Sequence, residues 1–142
     1  MLMGVTITGK YKGSPSYDMG YITFHRLRTD IAYAISKEFG DHYAEMPKAC
    51  AKIIDVDSYN KRTEMLIKKY HCKERFLDFL YQNDTDGKLS PFKCKALLDG
   101  IQSIENDNLY GYTAYPAQCM TLKKFRELLS ECFTRRCYLV WG

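Results

Sequence analysis

The sequence predicts an α+β fold with helix dominant, four or five helices packed on a small sheet formed by the N- and C-terminal strands. Three observations predict it. The chain opens and closes on strand-like segments, its middle carries apolar residues at helical spacing, and its 142 residues, 46% hydrophobic and 27% charged, suffice for one compact core. No internal repeat, low-complexity tract or long Pro/Gly/Ser linker divides the chain, so residues 1–142 read as a single globular domain.

Each element has its own signal. Val5-Thr6-Ile7-Thr8 alternates apolar and polar residues, the period of a half-buried strand, and a turn-rich stretch from Gly9 to Ser16 follows with Gly13 and Pro15 in it. Asp18 is placed to cap a first helix from about Met19 to Lys37, with Gly40 as its stop signal. A second helix is expected over Ser58 to Tyr70. A third, Lys73 to Gln82, leads into the polar turn Asn83-Asp84-Thr85-Asp86-Gly87. Ser90 caps a fourth, with Pro91 in the first turn where a missing N–H costs nothing, and Cys94, Leu97, Leu98 and Ile101 form its buried face. Thr121 caps a fifth, whose Leu122, Phe125, Leu128, Leu129, Cys132 and Phe133 keep helical period while Lys123, Lys124, Glu127 and Glu131 face outward. Cys137-Tyr138-Leu139-Val140-Trp141 closes the chain as a strand. Two isolated strands are marginal alone, so the sheet is expected to join the termini under a helical layer.

Composition excludes several classes. Apolar content is too high for disorder, glycine lacks the period of a collagen, and the size removes any need for disulfide staples. No apolar run approaches the roughly 18–20 residues that cross a bilayer, and Met1-Leu2-Met3-Gly4-Val5 is too short and uncharged for a signal peptide. A soluble, cytoplasmic protein without membrane contact is the expectation. The net charge of +4, from 21 basic and 17 acidic residues, is spread along the chain, so neither general duplex binding nor specific recognition of nucleic acid is indicated. The six cysteines include no CxxC pair, and Cys94 and Cys132 fall on apolar helix faces. Reduced, buried thiols are expected, and no metal site. No nucleophile elbow, phosphate-binding glycine loop or zinc-binding histidine pair occurs, so the reading is a protein that is not an enzyme and takes no cofactor.

Four features point to binding. In the first helix, Tyr21, Phe24, Leu27, Ile31, Ala34 and Ile35 share one arc, and Arg28 falls inside it while Arg26 points almost the opposite way. A guanidinium keeps its proton and is costly to desolvate unpaired, so Arg28 should meet a carboxylate of this chain or an anionic group of a ligand, or snorkel to water. The turn from Gln82 to Gly87 has the spacing of part of a calcium loop, but Gln82 and Lys93 occupy the two positions where acids belong. A polar turn with Gly87 at positive φ is the better reading, and Asp84 in it could still accept from a ribose or an amine. The 12 tyrosines exceed the 7 phenylalanines and single tryptophan, and Tyr110, Tyr112 and Tyr115 cluster around Gly111 in a segment without helical or strand period. Aromatic loops near an arginine hold a base and its phosphate, or pack as ordinary loops. His25 borders the buried arc beside Tyr21, placed as a structural residue or a proton-transfer group.

Asp18-Met19-Gly20-Tyr21, Phe24, Arg26-Leu27-Arg28, Asp78-Phe79-Leu80-Tyr81-Gln82, Leu109-Tyr110-Gly111-Tyr112 and Val140-Trp141-Gly142 together resemble small proteins carried by phages, prophages and mobile elements of Gram-positive bacteria. Thr85-Asp86-Gly87 stands where that family more often has Cys-Glu-Gly. The resemblance covers most of the chain and implies a setting: a small protein of the bacterial host cell's cytoplasm that binds and disables a host component. Its lead form is a binding protein that sequesters a small anionic nucleotide-derived immune signal, a cyclic nucleotide or ADP-ribose type, in a pocket lined by Tyr21, Arg28, Tyr110 and Tyr112 with Arg26 or Asp84 assisting. The alternatives are an inhibitor or accessory factor docked on a host defence or replication protein, and a hydrolase of such a nucleotide using His25. A homo-oligomer with shared pockets is compatible with each.

Overall fold

The computed structural model describes residues 4–102, 104 and 120–142. It is an α+β fold in which seven helical segments and four strands are found among the described residues. The strands are β1 (Gly4–Gly9), β2 (Ser16–Gly20), β3 (Gly87–Leu89) and β4 (Leu139–Trp141). They form one antiparallel sheet in the order β2-β1-β4-β3. The terminal strands pair as the sequence predicts, Ile7 opposite Trp141 and Thr8 opposite Val140.

The helices are α1 (Tyr21–Tyr33), α2 (Lys37–Ala44), α3 (Met46–Cys50), α4 (Val56–Lys69), α5 (Glu74–Tyr81), α6 (Pro91–Ile101) and α7 (Leu122–Thr134). Two caps stand where the sequence places them: Ser90 Oγ accepts from Lys93 N at 3.3 Å and Thr121 Oγ1 from Lys124 N at 3.1 Å. The first helix is different. Asp18 lies in β2, accepting from Thr6 Oγ1 at 2.5 Å, because Ser16–Gly20 pairs with β1 in preference to capping. The helix breaks after Tyr33, and Ser36 caps a second one by accepting from Phe39 N at 3.0 Å. Gly40 sits inside α2 and is no stop. A Cβ there would lie 2.2 Å from the Tyr33 ring, so the glycine lets the two helices close on each other.

The inner face of the sheet carries Val5, Ile7, Leu89, Leu139 and Trp141, all buried against the helices. Phe24 of α1, Phe79 of α5 and Phe125 of α7 meet them, with Phe79 5.3 Å from Trp141 and 6.0 Å from Phe24 between ring centroids. Rings at those spacings and steep angles contribute about 1 kcal/mol beyond their area burial. Gly87 is not at positive φ, a conformation that among the described glycines belongs to Gly13 alone. It is needed in β3 for a different reason: an added Cβ would lie 1.8 Å from the Trp141 indole. Cys94 and Cys132 are free and fully buried, as their helix faces predict. No helix among the described residues is long and apolar enough to cross a membrane.

Candidate binding site

Helical period puts Arg28 on the buried arc of α1, and the turn after α5 supplies its counter-charge. Arg28 Nη1 donates to Asp84 Oδ1 at 2.6 Å and Nη2 to the Gln82 carbonyl at 2.7 Å. The guanidinium carbon lies 4.4 Å from the centre of the Phe24 ring, a cation–π contact strengthened by desolvation. The turn is braced around this charge: Gln82 Oε1 accepts from Lys88 N at 3.0 Å, Asn83 Oδ1 from Thr85 N at 3.0 Å, and the Asn83 carbonyl from Trp141 Nε1 at 3.0 Å. Arg28 and Asp84 are brought together, but as partners of each other. The expectation that this arginine meets an outside anion gives way to an internal ion pair, because the chain's own acid reaches it first.

Of the other predicted residues, Tyr21 and Arg26 line none of the three hollows described below. Tyr21 is exposed at the start of α1, and Arg26 lies half-buried. Tyr110 and Tyr112 lie outside the described residues. His25 stacks on Tyr43 with centroids 5.3 Å apart and planes 14° from parallel, and burial lowers its pKa below the ordinary imidazole value. Tyr43 in turn donates to the Leu80 carbonyl at 2.6 Å, so this histidine braces α1 against α2.

A cavity of 790 Å³ between α2 and α4 is lined by both charge signs, Glu38, Asp41, Asp55 and Arg62 among them. Its charges are engaged. Glu38 accepts from Lys69 at 2.7 Å and Tyr70 at 2.5 Å, which holds its pKa down at about 2; Asp41 pairs with Lys37 at 2.8 Å; Asp55 caps α4 through Ser58 N at 2.9 Å. On the floor, His42 stacks on Tyr59 at 4.0 Å. The arrangement ties two helices together and leaves little electrostatic capacity for a ligand.

The outward face of the sheet is the opposite case. Alternation along a strand puts Lys88 of β3, Val140 of β4 and Thr8 of β1 in one row on the solvent side, since Val140 pairs with both neighbours. Two residues along, on the same face, stand Tyr138 and Lys10, joined by Lys10 N donating to the Tyr138 carbonyl at 2.8 Å. Arg136 completes a hollow of 430 Å³ lined by Lys10, Lys88, Arg136, Cys137, Tyr138 and Val140. Among the described residues no carboxylate forms an ion pair with any of these cations; the nearby Glu131 is occupied by Arg135 at 2.8 Å.

Arg136 is held there at a cost. Cys137 N donates to the Cys132 carbonyl at 2.9 Å and Arg136 N to the Phe133 carbonyl at 3.1 Å, the paired bonds that end a helix through a left-handed residue. Glycine is the usual occupant. Arg136 has φ of 55°, which costs a residue with a Cβ about 1 kcal/mol. Sequence reasoning missed this face, although the alternation in Tyr138–Trp141 was visible; only the register of β3 and β1 against β4 brings Lys88 and Lys10 to it.

The chain matches no family model, no curated protein and no solved structure. The site must therefore be read from its own chemistry.

Proposed function

We propose that the protein is a non-catalytic binding protein whose ligand carries phosphate, taken on the outward face of the sheet at Lys10, Lys88 and Arg136. The observation that carries this reading is the convergence of those three unneutralised cations on one 430 Å³ hollow beside an exposed tyrosine ring. Ammonium and guanidinium groups without carboxylate partners gain most from an oxyanion, and a guanidinium binds phosphate through paired N–H donors. The phage-protein resemblance gives such a ligand its setting, a nucleotide-derived signal of a host defence system held without turnover. The site differs from the enclosed pocket expected around Arg28, since its cations stand on the surface.

Titration calorimetry with inorganic pyrophosphate, ADP-ribose and a cyclic dinucleotide tests the proposal. At low salt at least one binds, affinity falls as salt rises, Arg136→Glu with Lys88→Glu abolishes binding, and heat-denatured complex releases the ligand unchanged. Affinity indifferent to those reversals, or recovery of a cleaved product, overturns it. A second reading, docking on a host protein, is favoured by the 630 Å³ hollow lined by Met46, Ala49, Val56, Tyr59 and Tyr81, with Ile53 exposed next to it. Val56→Asp would disrupt that docking and leave pyrophosphate binding untouched.

A further inference from the structure

Resting on the phosphate reading, we infer that this face also takes single-stranded nucleic acid, its phosphates held by Lys10, Lys88 and Arg136 and its bases stacked on Tyr138 and Phe92. The cations are distributed across the sheet. Lys88 belongs to β3 and Lys10 follows β1, with β4 between them and a two-residue offset along the strands, so their backbones stand about 12 Å apart by strand geometry. Cations so spread reach successive phosphates of a chain better than one phosphate group.

Between them Tyr138 is 45% exposed. Beyond it, at the start of α6, Phe92 is 82% exposed and packs edge-to-face with Phe133, ring centroids 6.5 Å apart. The two rings lie at the same end of the fold. Leu89 pairs with Leu139, which puts the residues before Phe92 beside Tyr138, and Phe133 gives its carbonyl to Arg136 N. Tyr138 among the unpaired cations, with Phe92 at the same end of the fold, offers unpaired bases rings to stack on while the backbone is neutralised, a mode that tolerates any sequence.

The openness of the site agrees. A small nucleotide would keep much of its surface in water there, whereas an extended strand gains affinity by adding contacts along its length. At the far edge of the same face Asp18 of β2 is exposed and engaged by Thr6. Its charge repels a phosphate backbone, which confines the path to the end of the sheet bearing β1, β4 and β3. The same cations would also attract an acidic peptide, but a polycarboxylate makes no use of the rings.

The test uses the full chain, with fluorescein-labelled twelve-residue oligothymidylate and oligouridylate followed by anisotropy. Thymidine monophosphate, inorganic pyrophosphate, a duplex of equal length and hexaglutamate compete. Either oligomer is expected to bind at least tenfold more tightly than thymidine monophosphate at the same salt. Tyr138→Ala or Phe92→Ala should weaken it roughly fivefold or more, Tyr138→Phe should retain it, and pyrophosphate affinity should not move. Unchanged Trp141 fluorescence verifies that the variants fold. Monophosphate or hexaglutamate binding as tightly as the oligomers, or ring variants without effect, overturns the inference while the phosphate site stands. If pyrophosphate also fails to bind, the phosphate reading falls and the inference falls with it.

Discussion

Asp84→Ala isolates the price of burying a charge. The Arg28 side chain is 6% exposed and that of Asp84 46%, with 2.6 Å between the paired atoms. Removing one partner of a fully buried pair costs about 3–5 kcal/mol, because the remaining charge is left in a poor solvent. Here the carboxylate side is half open, so water replaces part of the lost interaction, and the Gln82 carbonyl keeps its bond to Nη2. The expected loss is about 2 kcal/mol, equivalent to a melting temperature lower by roughly 6 °C for a domain of this size. Urea unfolding followed by fluorescence reads it well, since Trp141 is the single tryptophan and its ring centre lies 5.8 Å from the guanidinium carbon. The double variant Arg28→Met with Asp84→Asn removes the charge together with its partner and should recover most of the loss. Stability of Asp84→Ala within about 0.5 kcal/mol of the parent, or a double variant that merely adds the two single losses, would refute the assignment of Arg28 to an internal pair.

Three further outcomes follow from the same geometry. Arg136→Gly relieves the left-handed strain at the end of α7 and should raise stability by about 1 kcal/mol in urea unfolding while weakening ligand binding, a trade expected of a site residue. Gly87→Ala drives a methyl into the Trp141 indole and should cost about 3 kcal/mol by the same assay. Asp30 has a buried carboxylate oxygen without a hydrogen-bond partner, and desolvation raises its pKa from 3.8 to about 6. A raised acid favours the fold while protonated in it, so its contribution is whole below pH 3.8 and is lost as pH rises through about 6. Discounted for solvent screening, the loss is about 1 kcal/mol, and Asp30→Asn should remove that pH dependence in paired unfolding curves at pH 4 and pH 7.

Legibility followed the physics of each signal. Ser90 with Pro91 and Thr121 announce helix starts locally, and the apolar period of Leu122–Cys132 survives as the buried face of α7. Strands that depend on distant partners were harder: β2 reads as a helix cap and β3 as the tail of a polar turn until β1 and β4 supply their hydrogen bonds. Gly40 and Gly87 look like punctuation in the sequence, yet each is required by an aromatic ring from another element. The same limit governs the site. Periodicity identifies Arg28 as a buried cation but cannot say that Asp84, 56 residues later, is its partner. Lys10, Lys88 and Arg136 carry no local mark at all and become a site through register alone.

The most direct measurement is a pyrophosphate titration of the labelled protein followed by backbone amide chemical shifts. The largest changes are expected at Lys10, Lys88 and the run from Arg136 to Val140, with the amides around Arg28 and Asp84 unmoved. Shifts confined to the α2–α4 cleft or to the Arg28 turn, with the outer face of the sheet silent, would contradict the account.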